Sequence, residues 1–185
     1  MTKKMNKKYG PWVIKSRELK YKDNYIELNL DKVIRPDGKD GKFAWVKVKS
    51  GISILPIDKN GFVYLTKEFH YALGQYDIEV VSGGIDGHDS PRQAAIKELK
   101  EELGIKAKKI VNIGVMHPLT SSVVGPIHLF LAFDLKFENS SQDKTERIEM
   151  VKIKFEKAIS MVIERKIFDS HSIALLLMAK EYLKK

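Results

Sequence analysis

Glu98, Glu101 and Glu102 stand at i, i+3 and i+4 within GGIDGHDSPRQAAIKELKEELGI, residues 83–105. On a helix that spacing gathers three carboxylates on one face. Hard divalent cations seek such oxygen-rich clusters, and phosphate-bearing substrates arrive with such cations. The residues point to a metal-dependent enzyme acting on a phosphorylated small molecule.

The element that must position them is well specified. Ser90 is an N-cap residue, Pro91 suits the first helical position, and Gln93 completes a Ser-x-x-Gln capping box. Gly104 supplies the C-terminal stop, so the pattern predicts a helix over Pro91–Leu103. At about 100° per residue, Ala95, Ile96, Leu99 and Leu103 form one apolar stripe facing a core. The glutamates form a second stripe beside it, and Gln93, Lys97 and Lys100 face solvent.

Three carboxylates at a helix C-terminus oppose the macrodipole and repel one another, each effect costing a few tenths of a kcal/mol or more. Lys97 can pair with Glu101 at i+4 and relieves part of this. The plain alternative is a Lys/Glu-rich amphipathic helix whose charges only solvate it. Gly83, Gly84 and Gly87 shift the balance, because a permissive loop there can bring backbone carbonyls close to the carboxylate face. A local rule broken inside an otherwise consistent helix marks a functional site.

The remaining chain reads as α+β with a β-rich front. Strands are expected at Trp12–Tyr21, Tyr25–Ile34, Lys42–Lys49, Ile52–Ile57, Phe62–Phe69 and Tyr76–Val81, then Lys109–Met116, Ile127–Leu135 and Ile148–Phe155. Asn60-Gly61 is a hairpin signal between two of them. Helices are expected at Lys157–Arg165 and Ser170–Leu183. The 185 residues suit one domain over 10–185, behind a basic tail at 1–9 expected to fray.

In register, residues 83–105 resemble the Nudix box, G-x5-E-x7-R-E-U-x-E-E-x-G-U with U aliphatic. Gly83, Glu98, Leu99, Glu101, Glu102, Gly104 and Ile105 match it. Asp89 stands for the first Glu and Lys97 for the Arg; lysine keeps the cation but loses the planar, bidentate fork. Residues 12–84 and the tail Phe168–Leu175 are similar to the bacterial ADP-ribose pyrophosphatase branch, with Glu79-Val80-Val81-Ser82-Gly83 leading into the box. The resemblance implies the Nudix fold, a mixed sheet sandwiched between helices (α/β/α) with an N-terminal β-region.

It also implies hydrolysis of a nucleoside diphosphate linked to another moiety, foremost ADP-ribose or a related nucleotide sugar, giving AMP and a sugar phosphate. Dinucleoside polyphosphates or modified nucleotides are the alternative substrates, and a non-catalytic nucleotide-binding module the alternative role. Carried over by residue, Glu98, Glu102 and the Ser82 carbonyl are metal ligands for Mg²⁺ or Mn²⁺. Glu101 is a further ligand or orients water, so Glu98 and Glu101 are the catalytic candidates. Glu79 adds a carboxylate, pairs with Lys97, or is an ordinary strand residue.

The branch places a catalytic glutamate on a loop after the box, but residues 117–125, HPLTSSVVG, hold no carboxylate. Glu101, Glu146, Glu149 and His117 are the alternatives. Phe69-His70-Tyr71 stands where the family has an aromatic-Arg pair, making His70 and Tyr71 candidates for substrate contact. Trp12 and Trp45 are expected as core or interface anchors, with base stacking the lesser role.

No run approaches 18 apolar residues and the start lacks the apolar core of a secretory signal, so a cytoplasmic location is the default expectation. The absence of cysteine excludes disulfides and thiol catalysis without identifying a compartment. The resemblance implies a small-molecule nucleotide substrate. The net charge of +9 is carried by lysines spread through strands, loops and termini, which argues against a nucleic-acid partner. A homodimer is expected by family analogy.

Overall fold

The structure, a computed structural model, describes residues 2–140 and 147–184, with side chains from residue 4 onward. In chain order the strands are β1 (Thr2–Tyr9), β2 (Trp12–Lys22), β3 (Ile26–Ile34), β4 (Asp40–Val48), β5 (Gly51–Pro56), β6 (Phe62–His70), β7 (Gln75–Glu79) and β8 (Val81–Gly84). Helix α1 (Pro91–Leu103) follows. Next come β9 (Ile105–Met116), β10 (Val123–Val124), β11 (Ile127–Phe137) and β12 (Glu149–Lys154), then α2 (Phe155–Ile163) and α3 (Ser170–Tyr182). Backbone contacts group these into two compact units, Met1–Lys49 with His117–Gly125, and Ser50–Met116 with Pro126–Lys185.

The first unit is a five-stranded sheet in the order β1-β2-β3-β4-β10, antiparallel until β10 joins β4 in parallel. Its first strand corrects the expectation of a frayed tail: Tyr9 pairs with Trp12 and Thr2 with Glu18. Gly10 at φ +57 followed by Pro11 has the sign pattern of a type II′ hairpin turn, which lets the lysine-rich segment fold back on β2. Alternation of lysines with few apolar residues hid that strand. Charge is also less evenly spread than expected, since residues 1–49 hold 14 Lys and Arg against 6 Asp and Glu. They carry +8 of the net +9.

The second unit holds a four-stranded mixed sheet, β8-β5-β11-β9, and a three-stranded one, β12-β6-β7. Alternate residues of the central strands serve opposite faces. Ile52, Ile54, Val81, Phe130 and Ala132 pack with Ala94, Ala95, Leu99 and Leu103 of α1. Leu55, Val80, Leu129 and Leu131 pack with Ala158 and Met161 of α2 and with Leu175, Leu176 and Ala179 of α3. Helices thus cover both faces of the sheet within this unit, the α/β/α arrangement expected. Truncating fully buried Leu99 to alanine would cost about 2–5 kcal/mol.

The Asn60-Gly61 signal makes a tight turn but not an extended hairpin. Asp58 Oδ1 accepts from the N–H groups of Asn60 and Phe62, and Gly61 takes φ +72. Beyond the turn only an isolated Ile57–Val63 bridge forms, because β5 and β6 diverge into different sheets. The last two helices run at Phe155–Ile163, two residues earlier than expected, and Ser170–Tyr182. Among the described residues no helix is long and apolar enough to cross a membrane.

Candidate active site

Helix α1 begins as its sequence requires. The Ser90 hydroxyl accepts from the Gln93 N–H at 3.3 Å, and Gln93 Oε1 accepts from the Ser90 N–H at 2.9 Å. At the other end Gly104 adopts φ 62, where its N–H reaches back to the Leu99 and Lys100 carbonyls. A Cβ there would collide with the backbone of residues 138–140, so the chain needs glycine for space as well as for φ.

The stripe facing the core differs from expectation in one residue. Ala94, Ala95, Leu99 and Leu103 are buried, whereas Ile96 is 38% exposed. It lies with Gln93, Lys97, Lys100 and Glu101 on a shallow groove of about 310 Å³. Glu102 takes the buried place, only 8% exposed, between the apolar stripe and the other two glutamates. Its i+3 and i+4 spacing from Leu99 and Glu98 requires this, since the carboxylate stripe borders the core face directly.

Gly83 and Gly84 lie on strand β8, paired with β5, and not in the glycine loop expected there; Glu98 packs against Gly83. A Cβ on Gly83 would collide with the Glu98 carboxyl group and come 2.7 Å from its Cγ. Gly83 is therefore the gap into which Glu98 fits. Lys97 stands among the acids: its Nζ is 3.7 Å from Asp86 Oδ2 and 4.0 Å from Glu101 Oε2. Glu101 above all, then Asp86, Glu98 and Asp89, hold its pKa above the ordinary lysine value. Lysine at this position thus still serves the carboxylates, as a point charge without a fork.

The donor set suits a hard cation in kind and in spacing. As the side chains stand, no three His, Asp or Glu among the described residues come close enough to hold one ion. Glu98 stands three and four residues before Glu101 and Glu102, so its Cβ lies about 5–6 Å from theirs on a shared helix face. Ser82, half-buried on β8, pairs in register with Ser53 of β5, and its hydroxyl donates to the Val80 carbonyl at 3.2 Å.

Glu79 does not pair with Lys97. Glu79 ends β7, buried, and its Oε1 lies 2.9 Å from Nε2 of half-buried His70 at the end of β6. Burial raises its carboxyl to about 7; His70 opposes that rise and Asp169 adds to it. The hydrogen bond survives with the proton on either partner. Asp77, two residues earlier, is likewise raised by burial, against a hydrogen bond from the Ile78 N–H. Burial also works to raise Asp169, but hydrogen bonds from His171 and Ser172 prevail and leave it below the ordinary value.

His70 is thus tied to a carboxylate, and Tyr71 next to it is 95% exposed at the β6–β7 turn. Glu149 is exposed and bound to Lys67 at 3.3 Å; Glu146 lies outside the described residues. His117 is exposed in the segment that joins the first unit. Sequence reasoning passed over Asp169, His171, Ser172 and Ser53. Asp169 just before a helical pattern is a helix-start signal, but nothing local shows that Ser172 meets Val80, 92 positions away.

In the first unit Trp12 and Trp45 line a cleft of about 470 Å³, together with Lys7, Arg17, Phe43 and Lys47. Buried Asp31 takes both arms of the Arg17 guanidinium, at 2.8 and 2.9 Å, and the Trp45 indole N–H at 3.2 Å. Arg17 in turn lies 4.6 Å over the Trp45 ring.

Comparison with known proteins decides the family: the NUDIX domain matches residues 47–173, more than half of the chain. The chain belongs to the Nudix family. The ADP-ribose pyrophosphatase of Bacillus subtilis (strain 168) is 27% identical over 157 residues, 84% of this chain and 85% of that protein. The methanol dehydrogenase activator of Bacillus methanolicus is 24% identical over 177 residues, 91% and 92% of the two chains. A crystal structure of ADP compounds hydrolase superposes with a TM-score of 0.83 at 18% identity, covering 96% of this chain and 97% of that one. That last likeness speaks for the fold alone.

The protein is a Nudix hydrolase with the α+β Nudix fold. Its Nudix box starts in β8, passes through a loop into α1, and ends on the first residue of β9. Both ends of the box are therefore anchored in one sheet, with the glutamate helix strung between them.

Proposed function

We propose that this Nudix hydrolase is a metal-dependent pyrophosphohydrolase of nucleoside diphosphates linked to another moiety, foremost ADP-ribose or a related nucleotide sugar. The observation that carries the reading is the placing of Glu98, Glu101 and Glu102 on one face of α1, beside a glycine that leaves room for Glu98. The likeness to an ADP-ribose pyrophosphatase over 84% of the chain supports the substrate class.

In the reaction, water adds to one phosphorus, the P–O bond of the anhydride bridge breaks, and the departing phosphate keeps the bonding pair. AMP and a sugar phosphate result. A bound Mg²⁺ or Mn²⁺ neutralises the diphosphate and makes its water more acidic. Glu98, buried Glu102 and the Ser82 carbonyl are the groups proposed to hold it. Glu101, half-buried at the outer edge of the stripe, orients the attacking water and accepts its proton. Residues 117–125 bring no carboxylate to compete for that role. Tyr71 is open to a substrate, whereas His70 must leave Glu79 before it can donate its Nε2 proton to a phosphate.

Turnover of nucleoside diphosphate derivatives with Mg²⁺ and Mn²⁺, compared between wild type and Glu102→Gln, tests the reading. Metal-dependent release of AMP that the substitution abolishes supports it. Metal-independent turnover, or a fully active variant, overturns it. Tight nucleotide binding without turnover of any substrate replaces it with a binding module. A homodimeric, cytoplasmic enzyme completes the proposal, and light scattering on the purified protein checks the dimer.

A further inference from the structure

The first turn of α3 is tied to the residue that leads into β8, the strand of Ser82, and to β5, the strand paired with it. The fully buried Ser172 hydroxyl accepts the Val80 N–H at 3.0 Å, two residues before Ser82. His171 Nδ1 lies 3.1 Å from the hydroxyl of buried Ser53, the residue paired in register with Ser82 across β5 and β8. The same Nδ1 lies 2.9 Å from Asp169 Oδ2. A carboxylate only accepts, so the proton sits on Nδ1 and is shared between Asp169 and Ser53. This is not a Ser-His-Asp nucleophile system: there the histidine uses opposite ring nitrogens for its two partners. Here serine and aspartate crowd one nitrogen.

Asp169 closes the unit. Its Oδ2 also takes the Ser172 N–H at 2.8 Å, so the N-cap that starts α3 sets the positions of both His171 and Ser172. Two side chains of one helical turn thus hold the surroundings of Ser82: His171 its β5 partner Ser53, and Ser172 the Val80 N–H just before β8 begins. The hydroxyl at 172 is needed for more than helix formation, because α3 already has its cap in Asp169. Val80 is fully buried, and its N–H would lose this acceptor if the hydroxyl were removed.

We propose that His171 and Ser172 are positioning residues for the metal-binding face of the box, holding the Ser82 backbone next to Gly83, against which Glu98 of α1 packs. This rests on the reading of Ser82, Glu98 and Glu102 as ligands. Neither residue is placed against the substrate. His171 acts through Ser53 of β5 and Ser172 through Val80 at the entry to β8, so their removal weakens cation binding in a protein that still folds.

Mn²⁺ binding to the full-length protein, followed by the electron paramagnetic resonance of free Mn²⁺, tests this without relying on turnover. Ser172→Ala and His171→Ala are each expected to weaken Mn²⁺ binding about tenfold, in the range typical of groups that orient ligands. His171→Asn, whose amide N–H can replace Nδ1–H, is expected to restore binding to near the wild-type value. Thermal unfolding of each variant shows that the folded protein is being measured, and the His171 pair decides alone if Ser172→Ala does not fold. Mn²⁺ binding that Glu102→Gln abolishes, but that folded positioning variants keep at wild-type strength, overturns this inference alone. Weak binding by both His171 variants alike also overturns it. No Mn²⁺ binding by the wild type overturns the ligand reading and this inference with it.

Discussion

Glu98 fills the space beside Gly83: the Cβ that any other residue would place at 83 collides with the Glu98 carboxyl group. Gly83 has no positive φ to forbid a side chain, so the constraint is steric and local. Gly83→Ala should therefore leave stability within about 1 kcal/mol of wild type, since the displaced group is the end of a flexible side chain. Turnover should fall about 10²-fold, because Glu98 can no longer lie where Gly83 of β8 now admits it. Urea unfolding and steady-state kinetics on the same preparation separate the two effects, and an alanine variant of full activity would remove Glu98 from its proposed role.

Lys97 offers a second test on the same helix. It is exposed and surrounded by Glu101, Asp86, Glu98 and Asp89, so Lys97→Met should cost well under 1 kcal/mol in stability. Its larger effect should be on the carboxylates it organises. Half-activation should require a several-fold different metal concentration, whereas Lys97→Arg, which supplies a fork, should match or exceed wild type. Metal titration of activity in the three proteins is the measurement.

Glu79 makes stability depend on pH in a definite direction. Unfolded, its carboxyl ionises near 4.5; folded, it keeps its proton to about 7. Between those values the native state binds more protons, so stability falls as pH rises from 4.5 and levels off above about 7. The drop attributable to this group is on the order of 1–3 kcal/mol. Glu79→Gln cannot ionise and should flatten that part of the profile. Chemical denaturation between pH 4.5 and 8 reads the slope, and identical slopes in the two proteins would exclude the assignment.

Asp169 works the other way. Its folded pKa lies below the ordinary 3.8, so the stability it contributes is present above that value and is lost as pH falls through the folded one. Asp169→Asn should be less stable at neutral pH, and its deficit should shrink on acidification below about 4. Thermal melts across that range check both statements.

In the first unit, Arg17→Met leaves Asp31 buried with only the Trp45 indole N–H for company. A loss of about 2–4 kcal/mol is expected, as for other carboxylates stripped of their partner. Tryptophan fluorescence should report it, because Arg17 also covers Trp45.

The glutamate helix could be read from sequence because everything that makes it is local. Ser90, Pro91, Gln93 and Gly104 act within a turn of their neighbours, and a carboxylate face needs only the period of the helix. The helix runs from Pro91 to Leu103, as expected. Ile96 was misplaced for a different reason: the width of the buried stripe depends on the sheet beneath it, and Glu102 took the inner position. Strand β1 escaped notice because its pairing rests on the Gly10-Pro11 turn rather than on its own apolar pattern.

By itself, then, the sequence determined the helix, the carboxylate triad and the family, since each rests on spacing within 23 consecutive residues. Tertiary structure alone decided that Glu79 meets His70 rather than Lys97, and that α3 holds Val80 and Ser53 beside Ser82. The first contact depends on the pairing of β6 with β7, and the second joins segments about a hundred residues apart, which only the packing of strands and helices into layers brings within the reach of a hydrogen bond.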